Sequence, residues 1–98
     1  MAFATIGMDE MVIDAGADRL RVYASSGDAE RWFCGDCGTP LWVQDRENPQ
    51  SRDFSLATLD RPDAVTPEFH IYWSSRIGWD QPADSLPRYL RGRNGELA

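Results

Sequence analysis

The chain has 98 residues, a net charge of −6 and two cysteines, a length that supports one domain spanning 1–98. Hydrophobic residues make up 42% of it and aromatics 11%, including four tryptophans, which excludes an acidic disordered tail. Sixteen acids outnumber ten basic residues, all of them scattered arginines, and this balance argues against a nucleic-acid partner because it repels phosphate.

The apolar pattern along the chain has a period near two. Met1, Phe3 and Thr5 alternate with Ala2 and Ala4, and Met11-Val12-Ile13 follows as a short apolar run. Leu20, Val22 and Ala24 alternate with Arg19, Arg21 and Tyr23, the signature of a half-buried strand. Ser25-Ser26-Gly27-Asp28 is a turn signal, so Arg31-Trp32-Phe33 is predicted to return as the second arm of a hairpin. Leu41-Trp42-Val43 is a further strand, as are the alternating stretches Phe54 to Thr58 and Phe69 to Trp73. Polar loops around Pro49 and between Pro62 and Pro67 separate them. Gly78, Pro82 and Pro87 rule out a long helix after Ile77. Six or seven short strands with almost no helix is the expectation, a mainly β domain.

No run of apolar residues is long enough for a membrane span, and the start lacks the charged-then-apolar pattern of a signal peptide. The expected location is the cytoplasm, where thiols stay reduced, with no membrane partner. The arginines Arg88, Arg91 and Arg93 form the one local basic excess and read as a solvated tail.

Chemistry concentrates at Cys34-Gly35-Asp36-Cys37-Gly38. A C-x-x-C pair on a tight turn can aim both sulfurs at one ion about 2.3 Å away. Glycine after the second cysteine allows the positive φ that such a knuckle needs. Three readings compete. A thioredoxin-like redox pair requires a helix after the motif, and Gly38-Thr39-Pro40 offers none. Two reduced cysteines in a turn is the plain alternative. The third is half of a zinc site, since a structural zinc takes four ligands and this chain holds two thiols and one imidazole.

Phe33-Cys34-Gly35-Asp36-Cys37-Gly38-Thr39-Pro40-Leu41 resembles the second cysteine motif of the glutathione-dependent formaldehyde-activating enzyme family, which includes the centromere protein V domain. Gly16 and the stretch Leu20 to Gly27 are similar to the family's approach to that motif. Leu59-Asp60-Arg61-Pro62 resembles its L-D-x-P element, and Pro67-Glu68-Phe69-His70-Ile71 its P-x-x-H-I. Trp79 and Leu86-Pro87 match its closing W and L-P. Five pieces in the right order cover nearly the whole chain.

The resemblance implies a mainly β, Mss4-like fold of several short antiparallel sheets with a zinc-knuckle hairpin. It implies a zinc-dependent carbon–sulfur lyase that forms S-(hydroxymethyl)glutathione from glutathione and formaldehyde, so a small thiol or aldehyde is the expected partner. In the family pattern a C-x-C pair and a C-x-C-x-x-C cluster precede this motif. The first pair closes a structural zinc with the later C-x-x-C, and the cluster holds a catalytic zinc. By resemblance, Cys34 and Cys37 are structural-zinc ligands, while no catalytic-zinc ligand carries over. His70, Arg76 and Trp79 fall on the substrate side by the same resemblance; read alone, they are a structural histidine, a surface arginine and a core-capping tryptophan. The chain is expected to be either truncated at its N-terminus relative to the family, or a short relative in which two copies pair their cysteines into a Cys₄ zinc site and form a homodimer. A non-catalytic module using the aromatic surface of Tyr72, Trp73 and Trp79 is the alternative function.

Overall fold

The alternating stretches become strands where a neighbouring strand takes up their backbone N–H and C=O groups. The computed structural model describes residues 1–98 and contains β1 (Phe3–Gly7), β2 (Leu20–Ala24), β3 (Ala29–Cys34), β4 (Pro40–Asp45) and β5 (Ser51–Ser55). These form one antiparallel sheet in the order β1-β5-β4-β3-β2. β2 to β5 are successive hairpins, and β1 closes the sheet by pairing along the outer side of β5. The chain is thus mainly β, with its strands gathered in a single sheet and its only helical pieces being three-residue 3-10 turns. No helix is long and apolar enough to cross a membrane.

Register gives the sheet two unlike faces, because residues opposite one another in antiparallel strands share a face. Ala4, Phe54, Trp42, Trp32 and Val22 lie in one row across all five strands. Trp32 and Trp42 stack there at 5.5 Å with an 18° angle between planes, and the Arg52 guanidinium lies 4.5 Å from the Trp42 ring. The opposite row runs through Thr5, Asp53, Val43, Arg31 and Tyr23 and is largely polar, with the Thr5 hydroxyl donating to Asp53 Oδ1 at 2.6 Å. The core is small. Trp42 (4% exposed), Leu56 (5%) and Ser55 are the buried residues.

The predicted strands differ from the observed ones in three places. The short apolar run Met11-Val12-Ile13 adds no strand and is a loop segment after a 3-10 turn, with Val12 and Ile13 exposed. The pairing of β5 begins earlier, at Ser51, and ends at Ser55, because Leu56–Thr58 turns back as a 3-10 segment held by the Thr58 hydroxyl on the Ser55 carbonyl at 2.7 Å. Phe69 to Trp73 does not form a strand. Tyr72 takes a left-handed conformation (φ 52°) and leads into a 3-10 turn at Trp73–Ser75, so alternation stops after the single bridge His70↔Arg88.

The chain divides into two units, Met1–Val65 and Thr66–Ala98. The first carries the whole sheet. The second is irregular, and its backbone donors are satisfied between two segments: His70 N–H to Pro87 O, Tyr72 N–H to Arg91 O, Trp73 N–H to Tyr89 O and Ser74 N–H to Leu90 O, all within 3.2 Å. Phe69 meets Tyr89 edge to face at 5.4 Å between them.

Candidate functional sites

The cysteine knuckle hangs between β3 and β4 in the first unit. Its turn closes through Gly38 N–H to Cys34 O (2.8 Å) and Cys34 N–H to Thr39 O (3.0 Å). Gly38 has φ 77°, the positive value expected from its place after the second cysteine, where a side chain would be strained. Gly35 is required for a different reason. Its N–H bonds to Arg19 O at 2.8 Å, and a Cβ there would stand 2.8 Å from that same oxygen and 2.9 Å from Arg21 Cγ. The knuckle therefore rests directly on the backbone entering β2, and the Arg19–Asp36 ion pair (3.2 Å) spans the same junction at the surface.

Both cysteines are free thiols, Cys34 half-buried and Cys37 exposed. The Thr39 hydroxyl lies 3.0 Å from Cys37 Sγ. Hydrogen bonds from the Thr39 side chain, the Thr39 backbone and the Cys34 thiol hold the Cys37 pKa below its usual value, against an opposing push from Asp36. A favoured thiolate is the form that ligates metal. No helix follows Cys37; the chain passes through Gly38 and Thr39 into β4, so the thioredoxin arrangement is absent. A C-x-x-C pair can supply two of the four ligands of a tetrahedral zinc centre. No group of three or more His, Cys, Asp or Glu side chains forms anywhere in the chain, so its own residues close neither a four-ligand structural site nor a three-ligand catalytic one.

The remaining sequence-predicted residues lie in the second unit. His70 donates Nε2–H to both Asp84 oxygens, at 3.0 and 2.9 Å, an ionised carboxylate being acceptor only. Asp84 Oδ1 also accepts from Leu86 N–H at 3.0 Å. These bonds, the imidazole first, hold the Asp84 carboxyl below its usual range. The His70 ring is 5.6 Å from Trp73, and the Arg76 guanidinium is 4.4 Å from the same indole. The structure thus brings His70 and Arg76 together around Trp73. Trp79 makes no ring contact there and is 80% exposed, so it caps no core. Arg88 does not lie in a solvated tail, as the sequence leads one to expect, but is half-buried, with its guanidinium 4.4 Å from the Trp73 ring. Asp84 and Arg88 had no motif to mark them. The only signal was their position flanking Leu86-Pro87.

A groove of about 330 Å³ opens on the aromatic side of the sheet, lined by Ile6, Met11, Leu41, Trp42, Phe54 and Leu59 among others. Leu41 and Trp42 are consecutive, and regular alternation would put them on opposite faces. A bulge removes the conflict: Trp32 opposes Trp42 while Phe33 opposes Pro40, leaving Leu41 as the extra residue.

No solved structure matches the chain. The family model described as glutathione-dependent formaldehyde-activating enzyme matches residues 1–75, which include the knuckle, His70 and Trp73. With that match over most of its length, the chain belongs to the glutathione-dependent formaldehyde-activating enzyme family.

Proposed function

We propose that the chain serves the glutathione–formaldehyde chemistry of its family and that Cys34 and Cys37 are two ligands of a structural zinc. In that chemistry the glutathione sulfur adds to the formaldehyde carbon, an S–C bond forms, and the thiol proton ends on the former carbonyl oxygen. Nothing is lost and nothing is oxidised. The observation that carries the reading is the preformed knuckle inside the matched residues, with both thiols free and Cys37 held toward its thiolate. Free thiols also suit the reducing cytoplasm, where we place the protein.

Since no third ligand joins the pair, the zinc is completed by the same knuckle of a second copy, a Cys₄ centre on a two-fold axis. A structural zinc contributes on the order of 10 kcal/mol to folding, which suits a sheet with so few buried residues. On this reading the 98-residue chain alone is a binding and structural half and does not form S-(hydroxymethyl)glutathione. The exposure of Trp79 (80%) and Tyr72 (56%) favours the related reading of a non-catalytic module with an aromatic recognition surface.

Elemental analysis and sedimentation test the zinc. Half an equivalent per chain, lost together with the dimer in Cys34→Ser, is the expected result. A full equivalent on a monomer, or none, overturns the shared centre. Zinc-dependent turnover of glutathione and formaldehyde by the purified chain would overturn the expectation of inactivity.

A further inference from the structure

The groove on the aromatic side of the sheet has no part in the knuckle chemistry. It lies wholly within Met1–Val65, and its volume of about 330 Å³ falls at the lower end of small-molecule sites. Ile6, Phe54 and Trp42 line it from three strands that lie side by side, β1, β5 and β4, and the bulge adds Leu41. Two 3-10 turns raise its walls: Met8–Glu10 leads into Met11 and Val12, and Leu56–Thr58 leads into Leu59. Val12 lines the groove and is still 79% exposed, so that wall has apolar surface left to bury.

Charge is placed at one end of it. Glu10 is the one charged lining residue. A Cβ on Gly7 would stand 2.8 Å from Asp9 Oδ1 and 3.0 Å from Glu10 Oε1, so both carboxylates fold back over a single point at the end of β1. Neither is neutralised, since the two ion pairs of the chain are Arg19–Asp36 and His70–Asp84. The unit that carries the groove holds twelve acids against six arginines, which adds to the negative potential there. Arg52 touches two lining residues, the Trp42 ring at 4.5 Å and the Met11 sulfur at 3.5 Å, but does not itself line the groove. An apolar trough with a carboxylate at its end is complementary to an apolar body that carries a positive charge.

We propose that this groove is a binding site for a small organic amine, its apolar body lying along Trp42, Phe54 and Leu41 and its ammonium group at Glu10. The site is independent of the zinc and of the glutathione chemistry proposed above. Its volume has room for on the order of ten non-hydrogen atoms, at the roughly 30 Å³ that a water takes in the liquid, which suits a free small molecule rather than a peptide segment. Burial of the apolar body supplies most of the affinity, because the carboxylate is exposed and an exposed ion pair adds little. The carboxylate decides which end of the ligand enters and which charge is accepted.

NMR titration of the full chain with phenethylamine, 2-phenylethanol and phenylacetate tests this, the three probes sharing one apolar body and differing in charge. Phenethylamine, protonated at neutral pH, is expected to bind about threefold to fivefold more tightly than the alcohol, the discrimination of an exposed ion pair, and phenylacetate more weakly than either. Resonances of Val12, Leu41 and Phe54 should shift with all three. The preference for the amine should shrink between about 0.01 M and about 1 M salt. Glu10→Gln should remove most of it and leave the alcohol unchanged. Val12→Ser, at a position exposed enough to spare the fold, should weaken all three probes by a similar factor of about three. Equal affinity for the three probes, tighter binding of phenylacetate, or a preference that survives Glu10→Gln overturns the amine site. Shifts confined to residues away from Val12 and Leu41, or no binding of any probe, overturns the groove as a ligand site.

Discussion

At the scale of single residues, the knuckle shows how two glycines in one motif answer different demands. Gly38 supplies a backbone angle (φ 77°) in open space, while Gly35 supplies room for the Arg19 carbonyl. Gly35→Ala should therefore cost about 1–3 kcal/mol, as overpacking does, and Gly38→Ala about 1 kcal/mol from the left-handed angle alone. Urea unfolding of the two variants gives the order; a Gly38 variant less stable than the Gly35 one would mean that the contact with the entry to β2 is not what seats the knuckle. The requirement at Gly38 was legible in the sequence, because glycine after the second cysteine has a local cause. The requirement at Gly35 was not, since Arg19 lies sixteen positions earlier and only the pairing of β2 with β3 brings it near.

At the scale of elements, one aromatic row organises the sheet. The Trp32–Trp42 stack is worth about 0.5–1.5 kcal/mol beyond the area it buries, and Leu56 closes the core at the end of β5 with 5% exposure. Leu56→Ala is expected to cost about 2–5 kcal/mol, a large share of the stability of so small a core, and thermal melts followed by tryptophan fluorescence would measure it. A loss below about 1 kcal/mol would show that the residue is not part of the cooperative core. Alternation correctly placed β2, the turn at Ser25 to Asp28 placed β3 as its return arm, and the apolar run Leu41-Trp42-Val43 placed β4. It failed at Phe69 to Trp73, where the residues alternate but no neighbouring strand exists, and the backbone instead bonds to 87–91 through a left-handed Tyr72. Periodicity reports a pattern of side chains; a strand also needs a partner for its N–H and C=O groups.

At the scale of the whole molecule, charge divides unevenly. Twelve acids face six arginines in Met1–Val65, whereas Thr66–Ala98 has four of each. The acidic balance read from the full composition is thus a property of the sheet-bearing unit, and the arginines that gather around Trp73 belong to the balanced one. Their gathering was not legible, because Arg76 and Arg88 are twelve residues apart with two prolines between them. The second unit should also answer to acid through Asp84. Its folded-state pKa is depressed below the usual 3.8, so the stability it contributes is present above that value and is lost as pH falls through the depressed one. Asp84→Asn should lower the hydrogen-exchange protection of Thr66–Ala98 at neutral pH, and the gap from wild type should close below about pH 3.8. A gap that persists unchanged in acid would assign the effect of the variant to something other than the ionised carboxylate.

The bulge at Leu41 makes the spacing between the knuckle and the indole stack a matter of counting. Four residues separate Cys37 from Trp42, and one of them has no partner across the strand pair. Deleting Leu41 would remove the bulge and leave Trp42 opposite Trp32 and Pro40 opposite Phe33, so the indole stack would keep its face while the groove lost one of its lining side chains.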